Sequence, residues 1–424
     1  MGVIRQGLRA IFDGPLARVR PTPLALASLA LASAVLGGCG GGGEGVQAGV
    51  GTSASGPAAV GGAALSATAA LGELIFHDVS LSASGRQACS TCHAAENGHA
   101  GANSLPAQLG GADLDLQGAR AVPGIRYLAS NLAFRIAADG TPTGGFFWDG
   151  RAVSLADQAR GPLLNPVEMA NASVADVVAR LSRAAYAEQF KTVFGSDIFN
   201  RPDDALARLA LALQQYQLED ADFRPFSSKY DAFLRGRAAL TATEQRGLAL
   251  FNAPAKGNCA ACHPSARAAD GSLPLFTDFS YDNLGVPRNG ALAQNADPAY
   301  FDLGLCARPA GDLARRTDLC GAFKVPSLRN VALRKAYFHN GRFPSLKEAL
   351  TFYVQRDTSP EKWYPLRADG TLDLFNDLPP AWRGNVNRSE VPYNRQRGDA
   401  PALSDAEIDE LIAFLATLSD GFTP

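Results

Sequence analysis

The sequence predicts a mainly α protein made of two similarly built halves with long loops. Three observations carry this. Apolar residues recur at helical spacing behind hydroxyl caps, and the stretches between them are rich in Pro, Gly and Asp with few β-branched alternations. One helical pattern also occurs twice, as Ser66-Ala67-Thr68-Ala69-Ala70-Leu71-Gly72-Glu73-Leu74-Ile75-Phe76 and as Thr241-Ala242-Thr243-Glu244-Gln245-Arg246-Gly247-Leu248-Ala249-Leu250-Phe251. Each copy holds a Gly at the same place. A Gly inside a helix costs about 1 kcal/mol, so its presence in both copies predicts a close crossing by a second helix.

The elements follow in order. Residues 1–38 carry four Arg before an apolar run, Leu24 to Leu36, that is shorter than the ~20 residues a spanning helix needs. This is the pattern of an export signal. Its end, Leu36-Gly37-Gly38-Cys39, is similar to the bacterial lipoprotein signal, which implies acylation of Cys39 and a lipid anchor as the sole membrane contact. Residues 39–65 are nearly all Gly, Ala, Ser and Val, too poor in large side chains to pack, and read as a flexible tether. Without the signal the net charge is about −5, and no basic stripe interleaves with aromatics, which argues against nucleic acid as a partner.

The first folded domain is expected over 66–235. Its second helix is Ala205 to Leu218, with Leu206, Leu209, Leu213 and Tyr216 on one face. The second domain, 236–424, closes on Ser404-Asp405-Ala406-Glu407, a capping box followed by Ile408, Leu411, Ile412, Leu415 and Leu418.

Each half also contains one short motif, Cys89-Ser90-Thr91-Cys92-His93 and Cys259-Ala260-Ala261-Cys262-His263. Two thiols one turn apart add to the two vinyl groups of a haem, and the adjoining His ligates the iron, so each motif is a c-type haem attachment site. Composition alone gives about one chance match per thousand such sequences, so two matches are no accident. Zinc would need four close ligands, and a redox dithiol does not need the trailing His. The cofactors are two covalently bound haems, and the halves are cytochrome c-like domains in which an N-terminal helix crosses a C-terminal one beside the haem. Cys306 and Cys320 remain. In an oxidising periplasm they would form a disulfide worth about 3 kcal/mol; a metal or catalytic thiol pair is the alternative.

Ligands for the far sides of the irons are scarce. His77, His99 and His339 are the other histidines, and Met169 is the only thioether left once Met1 goes with the signal. Two ordinary electron-transfer haems would each need a strong sixth ligand, so the scarcity predicts an open iron.

At this point the sequence resembles the bacterial dihaem cytochrome c peroxidases and their relative MauG, over residues 66 to 420. The landmarks are Phe147-Trp148-Asp149-Gly150-Arg151-Ala152, Gln158, Gly161-Pro162, Asn165-Pro166-Val167-Glu168-Met169, Lys324-Val325-Pro326-Ser327-Leu328-Arg329-Asn330-Val331 and Tyr337-Phe338-His339-Asn340-Gly341. The resemblance implies that the His93 haem is the peroxide site, that Gln158 and Glu168 line its distal side, and that Trp148 relays electrons to the second haem. A Glu suits the chemistry, because O–O cleavage needs a group that takes a proton from one oxygen and returns it to the other. Hydrogen peroxide is then the substrate, with a small cytochrome c or cupredoxin as donor, or a protein as the oxidised substrate as with MauG. The rival classes are a non-enzymatic dihaem electron-transfer protein and a redox or gas sensor.

Three departures matter. Many family members carry a His some sixteen residues past the first motif that blocks the peroxidatic iron; here Leu109 and Asp113 stand in that region, and His99 is the nearest His. Where the peroxidases place a Met ligand for the second iron, this chain has Tyr353, as MauG has a Tyr, on a helix capped by Ser345-Leu346-Lys347-Glu348. The calcium that many members hold between their domains aligns with Ala121, Arg334 and Ala336, so its side-chain ligand is missing and calcium is not favoured.

Overall fold

The computed structural model describes residues 64–423. The expected signal, Cys39 and all but the end of the expected tether lie outside the described residues. The described chain is rich in helix and poor in sheet. Its strands are four two-residue antiparallel ribbons: β1 (His93–Ala94) with β2 (Ala100–Gly101), β3 (Leu109–Gly110) with β4 (Leu116–Gln117), β5 (Arg135–Ile136) with β6 (Pro142–Thr143), and β7 (Tyr281–Asp282) with β8 (Phe323–Lys324).

The helices are α1 (Ala67–His77), α2 (Cys89–Cys92), α3 (Leu155–Leu164), α4 (Val174–Leu181), α5 (Ala187–Phe194), α6 (Pro202–Glu219), α7 (Lys229–Leu234), α8 (Ala242–Asn252), α9 (Leu346–Gln355) and α10 (Asp405–Ala416). Ser66 and Thr241 cap the two copies of the repeated helix, and Ser404 and Glu407 form a full capping box on α10. Each cap satisfies backbone donors that a helix start leaves open.

Both repeat glycines lie at helix crossings. A Cβ on Gly72 would come 2.0 Å from the Ala212 carbonyl oxygen of α6, and one on Gly247 would come 2.1 Å from the Glu410 carbonyl oxygen of α10. Only hydrogen fits there. Around these crossings are two cores. Leu71, Ile75, Phe76, Leu206, Leu209, Leu213 and Tyr216 belong to one, and Phe251, Phe276, Phe352, Ile408, Leu411 and Phe414 to the other.

Between α8 and α9, residues 253–345 form 3-10 turns and ribbon strands but no α-helix. A disulfide joins Cys306 to Cys320 in this stretch, with Cα atoms 4.8 Å apart. No helix among the described residues is long and apolar enough to cross a membrane.

Candidate active site

The first motif occupies α2, whose single turn puts Cys89 and Cys92 on one side, and His93 follows at once in β1. The His93 ring is oriented from behind. Its Nδ1–H donates to the carbonyl oxygen of His99 at 3.0 Å, which leaves Nε2 as the atom that can bind a metal. Burial holds this imidazole down to about 4, so it is neutral, as an iron ligand must be. The second motif forms a 3-10 turn, Cys259–Ala261, and His263 repeats the arrangement with its Nδ1–H on the Phe276 carbonyl at 2.7 Å. Burial pushes the Cys89 and Cys259 thiols up to about 12, so they stand as neutral thiols rather than thiolate ligands.

His99 is fully committed elsewhere. Its Nε2 lies 2.5 Å from Asp222, its ring stacks on Phe223 at 4.5 Å, and it is 3% exposed. Its contribution is the carbonyl that aims His93. His77 ends α1 at the surface, while His339 is buried with its ring 3.5 Å from that of Phe323.

Each motif opens on its own cavity. The first is lined by Cys89, Cys92 and His93 together with Gln158, Pro162, Glu168 and Met169. The second is lined by Cys259, Cys262 and His263 together with Tyr353 and Tyr393. Trp148 lines both, and its indole N–H donates to the Ala121 carbonyl at 2.8 Å. Leu109 borders the first cavity, while Asp113 is at the surface.

Burial raises the Glu168 carboxyl above the usual range, partly offset by a hydrogen bond from Asn165 Nδ2 to Oε1 at 2.7 Å and by the nearby Arg151. The group can therefore exchange a proton nearer neutral pH than an exposed Glu. Tyr353 is likewise pushed up by burial, against a hydrogen bond from the Tyr393 hydroxyl that favours the phenolate.

A second internal repeat, which pattern reading missed, relates these two cavities. Phe146-Phe147-Trp148-Asp149-Gly150-Arg151-Ala152 and Tyr337-Phe338-His339-Asn340-Gly341-Arg342-Phe343 fold alike. Each is closed by an antiparallel bridge, Phe146 to Ala152 and Tyr337 to Phe343, and Phe147 and Phe338 share φ of 64°. Each leads through a Ser cap into a ten-residue helix, α3 or α9. In that register Tyr353 of α9 corresponds to Pro162 of α3. Pro162 has no donor atom to offer a metal.

The donor sets fit haem. Each cavity presents two thiols and one neutral imidazole with a free Nε2, and the second is also lined by cations suited to an anionic group. Lys324 and Arg334 border it, and neither has a carboxylate within 4.0 Å among the described residues. Burial without such a partner holds the Lys324 ammonium down to about 7, although it donates to the Gly144 carbonyl at 2.9 Å and to that of Gly145. A loop of the C-terminal half, carrying Tyr300 and Asp302, reaches the first cavity. Asp302 takes a bidentate hold from Arg120, which also pairs with Asp149 beside Trp148.

Comparisons agree with this geometry. Residues 66–239 match the family described as di-haem cytochrome c peroxidase. The chain is 36% identical to the methylamine utilization protein MauG of Paracoccus denitrificans over 364 residues, 84% of this chain and 89% of that protein. It is 33% identical to the cytochrome c551 peroxidase of Nitrosomonas europaea, over 66% of this chain and 71% of that protein. The crystal structure of the diheme peroxidase BthA from Burkholderia thailandensis superposes with a TM-score of 0.77 at 40% identity, covering 83% of this chain and 86% of that one. The chain is an oxidoreductase of the dihaem cytochrome c peroxidase and MauG family.

Proposed function

We propose that the chain is a two-domain, periplasmic dihaem enzyme, lipid-anchored through Cys39, that reduces hydrogen peroxide at the His93 cavity and draws the electrons through the His263 cavity. The observation that carries the reading is the asymmetry of the two far sides: Pro162 where Tyr353 stands in the other half. Haem iron, when bound, supplies the site where peroxide is taken up and the electrons that reduce it. The residues of the chain do the rest.

Cys89 and Cys92 would hold one haem covalently and Cys259 and Cys262 the other, with His93 and His263 binding the irons. Glu168, half-buried and raised, takes a proton from one peroxide oxygen and delivers it to the other, which leaves as water. Gln158, an amide on the same wall, orients the peroxide. Tyr353, which lines the second cavity, would hold the iron of the second haem from the far side. Trp148 is the relay, since its ring borders both cavities and its N–H is fixed. The domains are those of cytochrome c, 66–235 and 236–424, each closed by a glycine-mediated helix crossing. Calcium is no part of the reading, because position 121 brings only a methyl group and the Arg334 guanidinium already meets the adjacent Val122 carbonyl. A small cytochrome or cupredoxin is the donor when peroxide removal is the role; a protein is the oxidised substrate when protein modification is the role.

The test is the reaction of the fully oxidised protein with one equivalent of peroxide. With Tyr353 on one iron and, among the described residues, no His other than His93 lining the other cavity, it reacts at once, without prior reduction. A protein that ignores peroxide until one electron is added is an ordinary reductively activated peroxidase, and this reading then fails.

A further inference from the structure

Among the described residues, four Lys and Arg side chains line the second cavity: Arg126, Lys324, Arg329 and Arg334. Three have their partners. Arg126 pairs with Asp222 and Asp420, Arg329 is held by both carboxylate oxygens of Asp231 at 2.8 and 2.9 Å, and Lys324 donates to the carbonyls of Gly144 and Gly145 and to Asn131 Oδ1. Arg334 differs. Among the described residues its one hydrogen bond runs from Nη2 to the Val122 carbonyl at 3.0 Å, and burial lowers its basicity with no carboxylate among them to oppose it.

The acids on the same wall are engaged elsewhere. Asp302 is gripped by Arg120, Asp377 lies 3.6 Å from Arg288 and 3.7 Å from His339, and Asp282 and Glu390 both accept from Asn387. A guanidinium carries five donors, and leaving such a charge unpaired away from water is costly. Its planar fork matches a carboxylate. We infer that Arg334 is the receptor for a propionate of the haem carried by Cys259 and Cys262, a fixed internal counter-ion for that haem. The inference rests on the reading that the second motif carries haem.

A positive charge held at the haem edge favours the ferrous form, so its loss lowers the midpoint potential. In the holoprotein, Arg334→Gln should shift the ferric/ferrous equilibrium of the second haem toward ferric by roughly tenfold, about 59 mV for one electron. Arg334→Lys, which keeps the charge, should recover most of it. An unchanged midpoint in Arg334→Gln with both haems attached overturns the inference. Should Arg334→Gln not accumulate with both haems, the resonance Raman propionate bend decides: it must differ between wild type and Arg334→Lys, because an ammonium replaces a two-donor face, and identical frequencies overturn the inference as well. Haem stoichiometry separates the two claims. Fewer than two haems per wild-type chain sinks the underlying reading, whereas two haems with an unmoved midpoint sink only the role of Arg334.

Discussion

The two halves share a scaffold and differ where chemistry is decided. In both, a capped helix crosses a second at a glycine, a Cys-x-x-Cys-His motif follows, and the His ring is aimed by a backbone carbonyl. In both, an aromatic turn with a left-handed Phe feeds a ten-residue helix over the cavity. On that frame the N-terminal half puts Pro162 where the C-terminal half puts Tyr353, and Trp148 where the other puts His339. Only the first cavity is lined by Glu168. On the reading proposed above, a duplicated frame separates a place for peroxide from a place for stored electrons by changing a few side chains.

The comparison breaks most visibly at Glu168. Glu168→Gln should leave both haems attached and the second haem's potential unchanged while slowing the peroxide reaction by roughly 100-fold or more, measured by stopped flow. A rate near wild type would return Glu168 to a merely structural role. The shared frame is probed by Gly72→Ala and Gly247→Ala. Each new Cβ would overlap a backbone oxygen, so each should cost about 1–3 kcal/mol in denaturant unfolding of the holoprotein, and to a similar extent. A cost at one glycine alone would deny that the crossings are equivalent.

Tyr353→Met should raise the second haem's midpoint, since a thioether favours ferrous iron more than a phenol oxygen does, and make peroxide reactivity depend on prior reduction. Redox titration reads the first effect and mixing the oxidised variant with peroxide the second. The smallest effect concerns pH. Glu168 acts as a base when ionised, so the peroxide rate should fall as pH drops through its raised value. Asn165→Ala removes a hydrogen bond that favours the ionised form, which should move this acidic limb to higher pH. A limb that stays put would show that another group governs it.

Much of the frame was legible in the chain because its signals are local. Ser66, Thr241, Ser345 and Ser404 cap the helices they were expected to cap, Gly72 and Gly247 lie at the expected crossings, and Cys306 meets Cys320. What could not be read were contacts made by backbone atoms or by distant segments. The carbonyls of His99, Phe276 and Ala121, which hold His93, His263 and Trp148, belong to residues whose side chains give no hint of it. The match of Pro162 with Tyr353 was hidden because the helices carrying them share little sequence beyond the preceding turn. Arg334 stood out only once its surroundings showed no carboxylate.

The claim that the first iron is open and the second closed is tested most directly by the spin states of the two haems in the oxidised protein, read by electron paramagnetic resonance and magnetic circular dichroism. One high-spin haem at His93 and one low-spin haem bearing Tyr353 are predicted, with Tyr353→Phe altering only the low-spin signal. Two low-spin, six-coordinate haems would contradict the account and mark the chain as an electron-transfer protein.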